Sequence, residues 1–382
     1  MTTTDADAAP FTLPEELRAL HRETLRFARS LDREVREADR AGAFWVEGWR
    51  ACGRQGLHAL CLPPAQGGAG GGMLAAVVAL QALGQGCRDG GLVFAVASQL
   101  LTCTLPIARH GSAAVREQYL RGLAGGELVA AQAVSEPGAG SDVAAVRTTA
   151  RAVPGGWSVS GSKTFTTLGP QADLAIVLAR TDDGELVELV IPRDGYRVSR
   201  PLEKIGVRTA PMCELFLEDA FVPEDHLLGT PGNGMLQFMA ASEWERLGIL
   251  AGSLGTMERR LELCVAYARE REQFGQPIGK FQAVAHRIAE MKLRVETSRL
   301  LLYHAAAQKD RTGRATIESA LVKLHLSECA HANALDAVRV FGAAGCMEEA
   351  EVERELRDAV TGLVYSGTSD IQRNTIARLL GL

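Results

Sequence analysis

Ala131-Gln132-Ala133-Val134-Ser135-Glu136-Pro137-Gly138-Ala139-Gly140-Ser141-Asp142 is the stretch on which the reading of the chain turns. An apolar, strand-like run from Leu128 to Val134 stops there and a loop of small residues begins. Gly138 and Gly140 allow the backbone to approach a ligand or to take positive φ. Pro137 stiffens the exit from the strand, and Ser135 and Ser141 add hydroxyls beside exposed N–H groups. Phosphate or a flat polar ring suits such a loop, and so does a plain turn; the loop chemistry leaves both open. Neither GxGxxG nor GxxxxGK followed by Ser or Thr is present, so no Rossmann or P-loop cradle is indicated.

Upstream of this stretch the pattern is helical. Leu17, Leu20, Leu25, Phe27 and Leu31 approximate one face of an amphipathic surface helix expected from Pro14 to about Arg40. A Pro/Gly-rich loop, Leu62 to Gly72, breaks helix and strand alike, and Met73 to Gln85, Gly91 to Arg109 and Ala113 to Leu123 read as buried helices. Downstream the composition turns strand-like: Trp157 to Ser160 alternates, Leu174 to Leu178 is apolar, and Asp182-Asp183-Gly184 leads into Leu186 to Ile191 as a hairpin. A last strand is expected at Cys213 to Phe221.

From Glu243 the helical period returns, with Leu247, Leu250, Leu254, Met257 and Leu261 as a core stripe. Glu245, Gly248, Gly252 and Gly255 form a second stripe. Each glycine in a helix interior costs up to about 1 kcal/mol against alanine, so something packs close there, either another helix or a ligand.

These shifts divide the chain into a disordered tail at 1–13, an all-α unit at 14–125, a β unit at 126–226 and a helical unit at 227–382. The formal net charge of -5, without a basic run, excludes a nucleic-acid footprint. The eight cysteines are scattered, without CxxC or a His-Cys cluster, which points to free thiols in a reducing cytoplasm and to no metal. The apolar stretch from Gly91 to Cys103 reads as too short to span a bilayer, so no membrane segment is expected. No GxSxG elbow accompanies any serine, and the histidines are dispersed, which leaves a Ser-His-Asp hydrolase unsupported.

The string Ala133-Val134-Ser135-Glu136-Pro137-Gly138-Ala139-Gly140-Ser141-Asp142 resembles the flavin-contacting signature of the acyl-CoA dehydrogenases. Tyr365-Ser366-Gly367-Thr368-Ser369-Asp370-Ile371-Gln372-Arg373 is similar to the closing motif of that family. Gly161 to Thr167, Arg271 to Gly275 and Phe281-Gln282 match in order between them. The resemblance implies an α+β fold: an N-terminal all-α domain, a middle β-barrel-like domain and a C-terminal four-helix bundle. It implies FAD as cofactor, an acyl-CoA or carrier-bound acyl thioester as substrate, and α,β-dehydrogenation, with an electron-transferring flavoprotein as acceptor. A homotetramer or dimer is implied as well.

By the same resemblance Val134, Ser135, Gly140, Ser141, Phe165 and Thr167 lie along the flavin and its phosphates, and Thr368 and Asp370 complete the phosphate and ribose contacts. Arg271, Phe274 and Gln282 come onto the pyrophosphate and adenosine from a neighbouring subunit, where Arg339 and Gly342 also belong. Without its flanking residues Phe165 reads as a plain core aromatic. Ser141, Glu243, Arg246, Tyr365 and Ser366 fall near the substrate.

Two departures stand out. The family commonly has Gln and Gly-Gly where this chain reads Arg339-Val340-Phe341-Gly342-Ala343, and its closing motif usually reads Tyr-Glu-Gly-Thr, with the glutamate as base, where Ser366 stands here. Branches resembling isovaleryl-CoA and certain long-chain or carrier-bound acyl dehydrogenases place the glutamate before an Arg on the earlier helix. Glu245 occupies that place and is the expected catalytic base. The alternatives are a dehydrogenase of carrier-bound acyl or aminoacyl thioesters in secondary metabolism, a flavin monooxygenase on the same fold, and a flavin-free helical interaction subunit, which would be colourless.

Overall fold

The computed structural model describes residues 13–31 and 33–382. The expected tail therefore lies outside the described residues except for Leu13. The first unit is helical: α1 (Glu15–Ser30), α2 (Val35–Ala41), α3 (Val46–Arg54) and α4 (Met73–Gly86) precede a continuous helical stretch. That stretch comprises α5 (Gly90–Ser98), a π turn (Gln99–Thr104) and α6 (Leu105–His110). Short helices α7 (Ala113–Val115) and α8 (Arg121–Gly125) close the unit.

Two expectations need correction here. The helix expected from Pro14 to Arg40 is two helices, because the chain leaves helical geometry at Leu31 (φ -73, ψ 100) and a new helix starts where the Glu34 carboxylate caps Arg36 N at 3.1 Å. The run of charged residues continues through this break and does not record it. The apolar stretch is also longer than expected: Gly90–His110 spans 21 residues with mean hydropathy 1.7, long and apolar enough to cross a membrane. Its sides are 89% buried inside the protein, which is the signature of a core helix.

The middle unit is a curled seven-stranded sheet in the order β1-β4-β2-β3-β7-β6, with β5 on the other edge of β4. Its strands are β1 (Ala130–Ala133), β2 (Thr149–Val153), β3 (Gly156–Thr167), β4 (Leu174–Thr181), β5 (Leu186–Pro192), β6 (Arg197–Val198) and β7 (Met212–Pro223). β1 runs parallel to β4, and the expected hairpin is β4–β5, turned at Gly184 (φ 89). Alternation sorts the sheet into two faces. Ala133, Val177, Leu189 and Leu215 pack within the sheet unit, while Ile176 and Val190 join the core of the helical units.

The last unit begins with α9 (Gly234–Glu270), a single helix of 37 residues. A small hairpin, β8 (Glu272–Gln273) and β9 (Gln276–Pro277), links it to α10 (Gln282–Thr312), α11 (Thr316–Phe341), α12 (Val352–Thr361) and α13 (Ser369–Leu379). Leu247, Leu250, Leu254 and Met257 are buried, as their spacing predicts. The glycine stripe serves helix packing: a Cβ on Gly255 would come within 2.0 Å of Gln81 O, and one on Gly84 within 2.1 Å of Gly252 O. Helices α4 and α9 thus touch backbone to backbone, and of the two readings of that stripe the helix is the one realised.

Candidate active site

Glu245 lies near the start of α9, half-buried, and the closing motif folds back onto it. Ser366 Oγ donates a hydrogen bond to Glu245 Oε1 at 2.9 Å. The two positions at which the resemblance offers a base therefore meet in space, 121 residues apart in the chain. Arg246 Nε donates to the carbonyl of Ser366 at 3.1 Å, and Gln372 Nε2 donates to the carbonyls of Ser366 and Gly367 at 3.3 and 3.1 Å. Tyr365 OH lies 3.4 Å from Ser253 Oγ, two turns along the same face of α9, and its ring packs against Phe94 at 5.2 Å. Burial raises the Glu245 carboxyl above its ordinary value; the Ser366 hydroxyl and the Arg246 guanidinium pull the other way without cancelling it. The Tyr365 phenol is pushed up to about 12 by burial.

The small-residue loop is held by a different carboxylate. Glu136 is buried and accepts from Arg147 N (2.6 Å), Thr148 N (2.9 Å), Thr148 Oγ1 (2.6 Å) and Lys163 Nζ (2.8 Å). Lys163 is itself fully buried and also donates to Val134 O at 3.0 Å, while Thr164 N donates to Ser135 O at 2.8 Å. Burial works to raise the Glu136 carboxyl, but Lys163, Thr148 and the two backbone N–H groups outweigh it and hold it at about 2. Burial lowers the Lys163 ammonium, against the pull of Glu136. This pair was not singled out from sequence. Both residues stand in the motifs quoted above, and their separation of 27 residues carries no periodic signal.

The pair brings Val134 and Ser135, both half-buried, beside β3, where Phe165 and Thr167 follow. Phe165 is 64% exposed and left-handed (φ 55), at an irregularity in the β3–β7 pairing between Lys163 and Thr166. The plain core aromatic that Phe165 would read as without its flanking residues is therefore not what it is. Neither Gly138 nor Gly140 takes positive φ, and a Cβ on either would meet no protein atom within 4 Å. Gly140 and Ser141 are exposed. An outward-facing aromatic, an anchored strand end and an open loop of small residues fit a flat ring with a phosphate tail.

Thr368 caps α13 by accepting from Ile371 N at 3.2 Å, and the exposed Asp370 accepts from Arg373 at 2.8 Å. Arg271, Phe274 and Gln282 are all exposed, Phe274 to 95%, at the hairpin beyond the far end of α9. At about 1.5 Å per residue Arg271 lies roughly 40 Å along the helix from Glu245. One chain therefore does not bring these residues to the Glu245 site. Arg339 and Gly342, at the end of α11, are exposed as well, and Arg339 pairs with Asp336 at 3.2 Å.

Glu243, expected near the substrate, is engaged within the fold. Its carboxylate is buried and taken up by Lys309 Nζ (2.5 Å), Ala315 N (3.2 Å) and Thr316 Oγ1 (2.5 Å), which fastens the start of α9 to the corner between α10 and α11. A carboxylate so engaged, with three donors shared over its two oxygens, is a structural clamp. Its partners lie 66 to 73 residues away, beyond any local pattern.

Three domain models of the acyl-CoA dehydrogenases match the chain in order: the N-terminal domain over residues 14–127, the middle domain over 131–220 and the C-terminal domain over 232–381. The chain belongs to the acyl-CoA dehydrogenase family and is an oxidoreductase acting on CH–CH bonds. Among its relatives is an L-prolyl-(peptidyl-carrier protein) dehydrogenase of Pseudomonas fluorescens, 42% identical over 348 residues, or 89% of this chain and 91% of the relative. Among solved structures, the prolyl acyl carrier protein oxidase AnaB superposes with a TM-score of 0.95 at 38% identity, covering 97% of this chain and 100% of that one. A structure described as PigA with FAD and proline has a TM-score of 0.95 at 34% identity, covering 98% and 100%.

Proposed function

We propose that the enzyme removes two hydrogens across the α,β bond of an aminoacyl group, prolyl in particular, held as a thioester on a carrier protein, with Glu245 as the base. The observation that carries the chemistry is the 2.9 Å contact between Ser366 and Glu245: both base positions converge on one spot and only one of them holds a carboxylate. The choice of a carrier-bound substrate over acyl-CoA rests on the 42% likeness to the prolyl-carrier dehydrogenase and on the fit to AnaB.

The cofactor is FAD, and when bound it supplies the acceptor for the hydride leaving the β-carbon. Val134, Ser135, Phe165 and Thr167 would flank its ring, with Gly140, Ser141, Thr368 and Asp370 toward its phosphates and ribose. Glu245 takes the α-proton onto a carboxylate whose affinity for protons burial has raised, which moves a carboxyl toward the range a general base needs. Arg246 holds the Ser366 carbonyl and so closes the site on the C-terminal side. Arg271, Phe274, Gln282, Arg339 and Gly342 would serve the cofactor of a second copy of the chain, since they stand far from Glu245 in their own. Sedimentation should find at least a dimer; a monomer that keeps one FAD per chain would remove this part.

Anaerobic mixing of the yellow enzyme with L-prolyl-carrier thioester should bleach the flavin faster than isovaleryl-CoA, butyryl-CoA or a longer acyl-CoA. Faster bleaching by any acyl-CoA would leave the dehydrogenase and discard the carrier. Reoxidation of the bleached enzyme by an electron-transferring flavoprotein, and not by air, would fit the acceptor proposed; rapid reoxidation by air would make it an oxidase.

A further inference from the structure

We infer that Ser366 is a positioning residue for the base: its hydroxyl holds Oε1 of Glu245, leaving Oε2 as the oxygen offered to the α-proton. The inference rests on the assignment of Glu245 as base and adds to it a second residue that the reaction needs in a particular place.

Three features converge on this role. First, the hydrogen bond is short and joins the closing motif to α9, with Ser366 Oγ donating to Glu245 Oε1 at 2.9 Å. Among the described residues no donor reaches Oε2. Second, the backbone that presents the hydroxyl is unusual. Ser366 has φ 54 and Gly367 φ 87, so a serine occupies left-handed space that side-chain-bearing residues avoid. Such a conformation persists where its surroundings over-determine it. Third, those surroundings are visible. The Ser366 carbonyl accepts from Arg246 Nε and Gln372 Nε2, and the Gln372 side chain, fully buried, also holds Gly367 O. The strained turn is thus pinned on both sides, and what it delivers is one hydroxyl against one carboxylate oxygen.

The groups facing Glu245 define what that hydroxyl does. Arg246 comes from α9 itself, Tyr365 from the closing loop with its phenol raised by burial, and Cys103 from the π turn with its thiol raised by burial. Glu243, two residues before Glu245 on α9, acts on Arg246 and is paired with Lys309. Of these, Ser366 and Arg246 favour the charged carboxylate, and burial opposes it. Without the hydroxyl only Arg246 is left against burial, so the proton affinity of Glu245 rises.

The test is the pH dependence of single-turnover flavin bleaching by the L-prolyl-carrier thioester in holoenzyme carrying Ser366→Ala, Ser366→Gly or Ser366→Asn. Glycine removes the donor and suits the left-handed turn; asparagine keeps a donor and tolerates that turn. Because the base works deprotonated, its rate rises with pH through its pKa. Loss of a hydrogen bond to a charged group should move that limb upward by about one pH unit in the alanine and glycine variants. Their rates at high pH should also fall below wild type, since Oε2 is no longer held toward the α-proton, and the asparagine profile should lie close to wild type. A readout independent of turnover is the carboxyl stretch that Glu245→Gln removes from the infrared spectrum: its titration midpoint should move by the same amount. An unshifted limb in both alanine and glycine variants would overturn the inference. Full bleaching by Glu245→Gln would instead overturn the base assignment, so the two failures are distinct.

Discussion

Glu136 and Glu245 are the same residue in two environments, and the difference is between a carboxylate fully engaged by donors and one that is not. Glu136 has four donors, three of them uncharged and one an ammonium, and its carboxylate is so well satisfied that its pKa sits near 2. Glu245 has one hydroxyl on one oxygen, a guanidinium nearby and more burial than these offset, so its pKa rises. A carboxylate saturated with donors has no use for another proton, whereas an under-satisfied one does. The first locks the small-residue loop to β3; the second is left with an oxygen that has no donor among the described residues.

The largest expected break in this contrast is Glu245→Gln. A general base contributes about 100- to 10,000-fold, so bleaching by the thioester substrate should fall by at least the lower figure while FAD stays bound. Stopped-flow absorbance checks it, and near-wild-type reduction would put Glu245 in the same class as Glu136. Next comes Lys163→Met, which leaves the Glu136 carboxylate buried without its cation. Removing one partner of a buried pair costs about 3–5 kcal/mol, to be read from urea unfolding, and flavin should be lost alongside. A variant as stable as wild type would mean that the pair does not hold the loop.

A subtler test uses the signs of the two shifts. Glu136 has a folded pKa below its ordinary 4.5, so its stabilisation is complete above that value and is lost as pH falls toward 2. Glu136→Gln should therefore flatten the acid side of the stability profile. Glu245 has a folded pKa raised above 4.5, so its ionisation costs stability as pH rises through the folded value. Thermal melts of Glu245→Gln should match wild type below about pH 4.5 and lie slightly above it at neutral pH. Melting curves whose differences from wild type share one sign and one pH range would erase the contrast. The smallest effect belongs to Arg271→Ala: an exposed change, within about ±0.5 kcal/mol for the fold, that should weaken FAD retention on dialysis.

Much of this was legible in the residues. The core stripe of α9, the β4–β5 hairpin and the two motifs that name the family all rest on short-range order, which periodicity and turn chemistry record. The contrast between the glutamates does not, because the donors that decide it lie 11 to 27 residues away for Glu136 and 121 for Glu245. The same limit explains why Glu243 read as a substrate contact: the Lys309 and Thr316 that occupy it are brought in only by the fold. The glycine stripe told that something came close but not what, since a helix backbone and a ligand ask the same of a side chain. The break after Leu31 rests on one cap, a local event that a continuous charge pattern hides.

The length of α9 has a consequence for how the enzyme keeps its cofactor. One rigid element of 37 residues begins beside one site and ends at the hairpin that, on the proposed assembly, reaches another. Flavin affinity then becomes a property of the population: each copy lends its neighbour the residues it cannot use itself. Dilution, by favouring lone chains, should bleed cofactor from the enzyme with no change in any single fold, and added FAD should draw chains back together by the same mass action.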